Sequence, residues 1–260
     1  MVQNRALRYF LGVHQFTPLL AVQGDSGWLS CNCRHKMNML RLWNRLIYME
    51  NERITKRVFL WDREQNNTSN WSSQVKNIME SLNIESTYFN STPCNLHYAE
   101  EKLHTNFETK WHNDIQSIPK LRTYILFKSS YTVEKYVTLD LPKPIRSKLA
   151  MFRCGVLPLR IETGRYRGEP VEDRICNLCD FNEIETEKHF LLRCPFFNNQ
   201  RSQLFYKIGY DVTVSQNNTN DSTLFVDLIC NYPRQIAYFI HELYNLRQKQ
   251  LTKPSCSQNM

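Results

Sequence analysis

"MNMLRLWNRLIYMENERITKRVFLWD", residues 37–62, sets Met39, Leu42, Trp43, Leu46, Ile47 and Met49 at spacings of three and four. That is the period of one apolar face of an α-helix, and Arg41 and Arg45 fall one turn apart on the other side. A second helix is expected over Ile54–Trp61. The polar run "REQNNTSNWSS" (63–73) then breaks the pattern as a loop or small hinge.

The same period recurs along the rest of the chain. "SSQVKNIMESLNI" (72–84) reads as a helix capped by Ser72 or Ser73. "YAEEKLHTNFETKWHNDIQ" (98–116) places Leu103, Phe107, Trp111 and Ile115 four apart, and Pro119 ends it. "RTYILFKSS" (122–130) and "YTVEKYVTLDL" (131–141) mix β-branched and aromatic residues and fit short strands or short helices equally. "IRSKLAMFRCG" (145–155) is a helix with Gly155 as its C-cap. "PFFNNQRSQLFYKIG" (195–209) starts on Pro195, and "LFVDLIC" (224–230) and "RQIAYFIHELYNLRQKQ" (234–250) add two more helices. The tail "TKPSCSQNM" (252–260) reads as frayed.

Only seven glycines and ten prolines occur in 260 residues, which favours long helices over a turn-rich β architecture. The expected fold class is mainly α, a helical assembly with an embedded small Cys3His zinc-binding element. Composition divides the chain into four segments: 1–63, basic and helical; 64–140, a helical connector; 141–208, the zinc-binding region; and 209–260, C-terminal helices and tail.

The embedded element is "CNLCDFNEIETEKHFLLRC" (176–194), which gathers Cys176, Cys179, His189 and Cys194 into nineteen residues. A Cys-x2-Cys turn can bring two thiolates to one ion. Thr186 is placed to cap a short helix over 187–193, so that His189 leaves its first turn and Cys194 its end. Four protein ligands would close a tetrahedral Zn2+ shell and leave no position for water or substrate, which makes the site structural. The bland alternative is three buried cysteines beside a core histidine. "CNCRH" (Cys31, Cys33, His35) lacks a nearby fourth ligand.

Charge separates the segments. Residues 1–63 carry ten Lys/Arg against four Asp/Glu (+6), 64–140 seven against nine (−2), 141–201 eleven against eight (+3), and 202–260 five against four (+1). Phosphate backbones are the natural partners of such basic stretches, the alternative being a solvated face that serves solubility. Ahead of the cysteine pair lie Arg160, Arg165, Arg167 and Arg174, with Gly164 and Gly168 between them. This lead is expected to be a loop that contacts nucleic-acid phosphates, RNA or DNA. Glu162, Glu169, Glu172 and Asp173 are interspersed and offer local salt bridges instead.

Other function classes find little support. No Asp-Asp pair, Gly-x-Ser-x-Gly, Walker loop or His-Glu-x-x-His occurs, so no catalytic residue is assigned. The N-terminal "MVQNRALRYFLGV" does not read as a signal peptide, and no apolar run reaches a membrane span of about 18 residues. Nine cysteines, irregularly spaced elsewhere, are then expected to be reduced in an intracellular protein, nuclear or cytoplasmic. On that reading the Asn-x-Ser/Thr triplets at Asn66, Asn67, Asn70, Asn90, Asn217 and Asn220 are unglycosylated polar loop.

The stretch "LAMFRCGVLPLRIETGRYRGEPVEDRICNLCDFNEIETEKHFLLRCPFF" (149–197) resembles the region after the reverse-transcriptase domain of animal non-LTR retrotransposons. Those elements carry a Cys-Cys-His-Cys cluster behind an Arg/Gly-rich lead such as "LPLRIETGRYRG". Residues 4–62 are similar to the part just beyond the polymerase palm of the same proteins. The resemblance implies Cys176, Cys179, His189 and Cys194 as metal ligands, and a role in holding nucleic acid near a polymerase. It transfers no polymerase aspartate, because the matching blocks lie downstream of those residues. Cys31 and Cys33 stand where the family pattern has no paired cysteines.

Overall fold

The computed structural model describes residues 2–65, 67–210 and 220–252. The tail 253–260, with Cys256, and the triplet positions Asn66 and Asn217 lie outside the described residues. Within them the chain is mainly α and contains no β-strand. One isolated antiparallel bridge, Ile175 to Ile184, is the exception to helix and loop. The fold divides into two compact units, 29–112 and a second made of 1–28 with 113–260. These boundaries do not coincide with the four segments drawn from composition.

In unit 29–112, helices α3 (Cys31–Ile47), α4 (Ile54–Glu64), α5 (Trp71–Ser81) and α6 (Glu85–Phe89) pack with the first part of α7 (Leu96–Gln116). Met37, Leu40, Trp43, Phe59, Val75 and Met79 fill the core. The buried face of α3 is thus wider on the Met37/Leu40 side than its spacing suggests, and Leu42 is left exposed. Trp43 stacks on Tyr88 at 5.3 Å, meets Phe59 edge-on at 5.5 Å, and donates from Nε1 to the Thr92 carbonyl at 3.0 Å.

Basic residues of this segment serve the fold. Lys56 is buried and its Nζ donates to the Leu46 and Ile47 carbonyls at 2.8 and 3.1 Å, closing the C-terminus of α3. Arg63 lies 5.3 Å from the Trp43 ring and 5.0 Å from Tyr88, and Nη2 donates to the Tyr88 carbonyl at 3.0 Å.

The cap of α5 is Asn70, whose Oδ1 accepts from Ser73 N at 2.9 Å, not Ser72 or Ser73. Asp62 Oδ2 accepts from Ser72 N at 2.9 Å, and Asn70 Nδ2 donates to the Asp62 carbonyl at 2.6 Å. The expected loop or small hinge is therefore shorter than 63–73, since α4 runs through Glu64 and α5 begins at Trp71, and Asp62 and Asn70 tie the two helices together.

In unit 1–28/113–260, α1 (Val2–Leu11) and α2 (Leu19–Ser26) join α10 (Lys143–Arg153), α12 (Asn198–Ile208), α13 (Asp221–Asn231) and α14 (Pro233–Leu251). The ambiguous stretches resolve as the short helices α8 (Tyr124–Phe127) and α9 (Lys135–Thr138). A buried ionic group explains why polar residues sit among them. Arg153 grips Asp25 through Nε and Nη2, both at 2.9 Å, and reaches Glu134 Oε2 at 2.8 Å. Tyr136 donates to Asp25 Oδ2 at 2.7 Å, and Lys128 pairs with Glu134. Burial, with the neighbouring Asp25 charge, pushes the Tyr136 hydroxyl well above its usual range, so it stays a donor. This group ties α2 to α9 and α10, joining segments more than a hundred residues apart in sequence.

Candidate metal centre

Two local devices bring the four candidate ligands together. The first is the Ile175–Ile184 bridge, where Cys176 N donates to Glu183 O at 2.9 Å and Glu185 N to Arg174 O at 3.0 Å. It closes the loop that carries Cys176 and Cys179. Asn182 turns that loop with φ +52°, a left-handed conformation that asparagine adopts more readily than most residues.

The second is the segment after Thr186. Thr186 Oγ1 accepts from His189 N at 3.1 Å, the capping role its sequence position implies. The chain then makes a π-helical turn, His189–Arg193, in which Cys194 N donates to His189 O at 2.8 Å. In an α-helix five residues advance by roughly 500°, which leaves positions i and i+5 about 140° apart. The wider turn reduces that advance and carries Cys194 back toward the side of His189. Arg201, from α12, donates to the Leu191 and Cys194 carbonyls at 3.2 and 2.9 Å and so satisfies the end of the turn.

The ligand atoms of Cys176, Cys179, His189 and Cys194 all lie within 4.8 Å of one another. Cys176 Sγ is 3.9 Å from Cys194 Sγ, and Cys179 Sγ is 3.5 Å from His189 Nε2. Cys176, His189 and Cys194 are buried and Cys179 is half-buried. His189 Nδ1 lies 2.9 Å from Glu183 Oε2, which fixes the ring and directs Nε2 at the sulfurs. This Cys3His group could hold a metal ion.

The electrostatics of the cluster favour its protonated groups. Hydrogen bonding to Cys194 and burial push the Cys176 thiol up to about 12. Burial opposes a charged imidazole at His189, and hydrogen bonds to Cys176 and Glu183 outweigh it and raise its pKa. Thiols this close resist ionising together unless a cation sits among them, and a coordinating cation reverses that preference.

The stretch "EIETEKH" (183–189) does more than link the ligands. Glu183, Glu185 and Glu187 recur every second residue, and each takes a different partner. Glu185 is buried, accepts two bonds from Arg247 at 2.6 and 2.7 Å, and accepts from Arg160 N at 2.6 Å. Glu187 accepts from Arg122 at 2.6 and 2.9 Å. Reasoning from sequence misses the partners of all three acids, although their period of two beside a candidate ligand histidine is a usable signal.

The four lead arginines have different fates. Residues Arg160–Tyr166 form a helix, α11, where a loop is expected from sequence. Gly164 does not break it: a Cβ there would lie 2.6 Å from both Arg174 Cγ and Glu169 Oε2, so glycine admits those side chains. Arg174 is buried and donates to the Ile161 and Glu169 carbonyls at 2.7–3.1 Å, which commits its guanidinium to the fold. Arg160 pairs with Glu169 at 2.7 Å, and Arg165 with buried Glu162 at 2.9 Å. Arg167 is 70% exposed and 3.9 Å from Glu169.

Cys31, Cys33 and His35 lie in the first turns of α3, capped by Ser30, whose Oγ accepts from Cys33 N at 3.3 Å. Among the described residues they form no metal-ligand group with a fourth partner. Compared with known proteins, the chain matches no family model, no curated protein and no solved structure.

Proposed function

We propose that the chain is a non-catalytic, zinc-containing nucleic-acid-binding module derived from the C-terminal region of a non-LTR retrotransposon reverse transcriptase. The observation that carries the metal part is the convergence of three sulfurs and one oriented imidazole nitrogen. Zn–S bonds of about 2.3 Å and Zn–N bonds of about 2.05 Å in a tetrahedron require S···S edges of roughly 3.8 Å and S···N edges of roughly 3.6 Å. The Cys176–Cys194 and Cys179–His189 separations, 3.9 and 3.5 Å, are close to those edges. Soft thiolates with an imidazole suit zinc, and a full protein shell suits a structural role. Cys176, Cys179, His189 and Cys194 would hold it, and Glu183 would set the histidine.

The nucleic-acid part rests on the net charge of +8, on exposed arginines beside the cluster, and on the resemblance of 149–197 to the retroelement region. A second reading, a zinc-stabilised structural or protein-interaction module, is favoured by one specific finding. Arg160, Arg165 and Arg174 already bond the chain's own carboxylates and carbonyls. Titration with RNA and DNA across a salt series separates the two. Phosphate binding weakens steeply with salt, so affinity that is absent, or flat in salt, favours the second reading.

A further inference from the structure

Beside α11 runs an open groove of about 860 Å³, within the size range of ligand-binding pockets. Its wall combines two kinds of side chain. Apolar surface comes from Phe16, Ile118, Ile161 and Val171, with Tyr166 alongside. Cations come from Lys120, Arg122, Arg165 and, at the base, Arg174. Phe16 and Tyr166 are 74% and 67% exposed, a heavy exposure for rings that could have joined the core.

The charges are arranged in depth. The carboxylates that balance the groove cations, Glu162 and Glu187, are themselves buried. Lys120 and Arg165 share Glu162 at 2.6 and 2.9 Å. Arg122 reaches Glu187 through Nη2 alone, and its buried Nε has no partner. Arg174 bonds carbonyls there. Three cations therefore share two carboxylates, the fourth has none, and the negative partners are more deeply buried than the positive ones. Lys120 Nζ and the Arg165 guanidinium sit 5.5 and 5.1 Å from the Tyr166 ring centre, holding that ring at the groove edge. Exposed Arg167 stands next in sequence.

The exposed Tyr166 ring, flanked by cations with buried counter-charges, and a second exposed ring in the same groove, Phe16 with His14 at 5.0 Å, match an unpaired base followed by a phosphate. A duplex offers neither an open base face nor a chain thin enough to enter, whereas every single-stranded base has a face to stack. We infer that this groove binds single-stranded nucleic acid, with bases stacking on Tyr166 and Phe16 and phosphates meeting Arg165, Arg122 and Arg167. The inference rests on the nucleic-acid reading above and assigns its site and its strand class.

The test uses the full chain, metal-loaded, with short single-stranded RNA and DNA oligonucleotides carrying 5-iodouracil, and with a blunt duplex of the same sequence. Anisotropy should show preference for the single strands. Tyr166→Ala and Phe16→Ala should each weaken single-strand binding by at least about fivefold, with helicity and metal content unchanged, while Tyr166→Phe retains it. Ultraviolet cross-links should map to peptides containing Phe16 or Tyr166. If the wild type binds nucleic acid but neither alanine variant changes affinity and cross-links map elsewhere, the groove assignment is overturned and the broader reading stands. If the wild type binds no oligonucleotide even at low salt, both fall. Self-association that sediments in the wild type and disappears in Tyr166→Ala, without a change in oligonucleotide affinity, would give the groove to a second copy of the chain and overturn the inference.

Discussion

Glu183 and His189 show how one contact sets the chemistry of the centre. The 2.9 Å approach of Glu183 Oε2 to Nδ1 leaves Nε2 for the sulfurs. Removing such a partner typically lowers metal affinity about 10- to 100-fold. Glu183→Gln should therefore keep the fold but release metal to a competing chelator at correspondingly lower concentration, and an unchanged competition curve would place the orienting role elsewhere. Cys179→Ala removes a ligand outright, and it should lower the melting temperature of unit 1–28/113–260 far more than Arg167→Ala, which removes an exposed guanidinium. Equal melting of the two variants would count against the ligand set. The Cys3His cluster is legible in the sequence because such groups are written locally, in residue type and spacing. Glu183 is not, since an acid in a charged run looks like a solvated one until its partner is placed.

At the scale of elements, periodicity locates the helices, while their ends and tilts depend on partners it cannot display. Asn70 caps α5 by accepting from Ser73 N, and Asp62 takes the neighbouring free amide, Ser72 N, so the helix starts ahead of both serines. The turn at His189 is π-helical and brings Cys194 toward the histidine, a local geometry that helical periodicity does not display. α11 reads as a loop in the sequence, yet Gly164 is needed there for the close approach of Arg174 and Glu169, not for flexibility. Gly164→Ala should accordingly destabilise the protein by about 1–3 kcal/mol in urea unfolding, the usual result of overpacking, although alanine is the better helix former.

Glu162, on the same helix, gives a pH signature. Burial would raise its pKa, but hydrogen bonds from Arg165, Lys120 and Tyr166 outweigh that and hold it below the ordinary carboxylate range. A depressed folded pKa contributes stability that is present above the unfolded value of about 4.3 and is lost as pH falls through the folded value. The stability gap between wild type and Glu162→Gln should therefore be widest near neutrality and close below about pH 4. A gap that stays constant from neutral to strongly acid solution would contradict the pairing.

For the molecule as a whole, buried ionic groups join what the sequence separates. Asp25 and Arg153 are both fully buried and 128 positions apart, and no local pattern announces their meeting. Breaking such a pair leaves an uncompensated charge, so Asp25→Ala should cost about 3–5 kcal/mol, a destabilisation to be told apart from loss of a metal. Metal content measured on the folded fraction distinguishes the two, since Asp25 is no part of the cluster. Charge distribution is legible in the sequence, but its use is not: Lys56, Arg63 and Arg174 belong to basic stretches suited to phosphate and instead satisfy carbonyls within the fold. The purified chain should extend no primer with Mg2+ or Mn2+, because paired metal-binding carboxylates are missing as a local motif. Template-dependent incorporation by protein freed of contaminating polymerases would overturn that assignment.

We propose that Cys176, Cys179, His189 and Cys194 close around one zinc ion that holds their unit together. Elemental analysis of protein purified without chelator, followed by circular dichroism during stepwise metal removal, decides the matter. About one equivalent of zinc per chain is expected, with loss of helicity as the metal leaves. A chain that carries no zinc and is fully folded would contradict it.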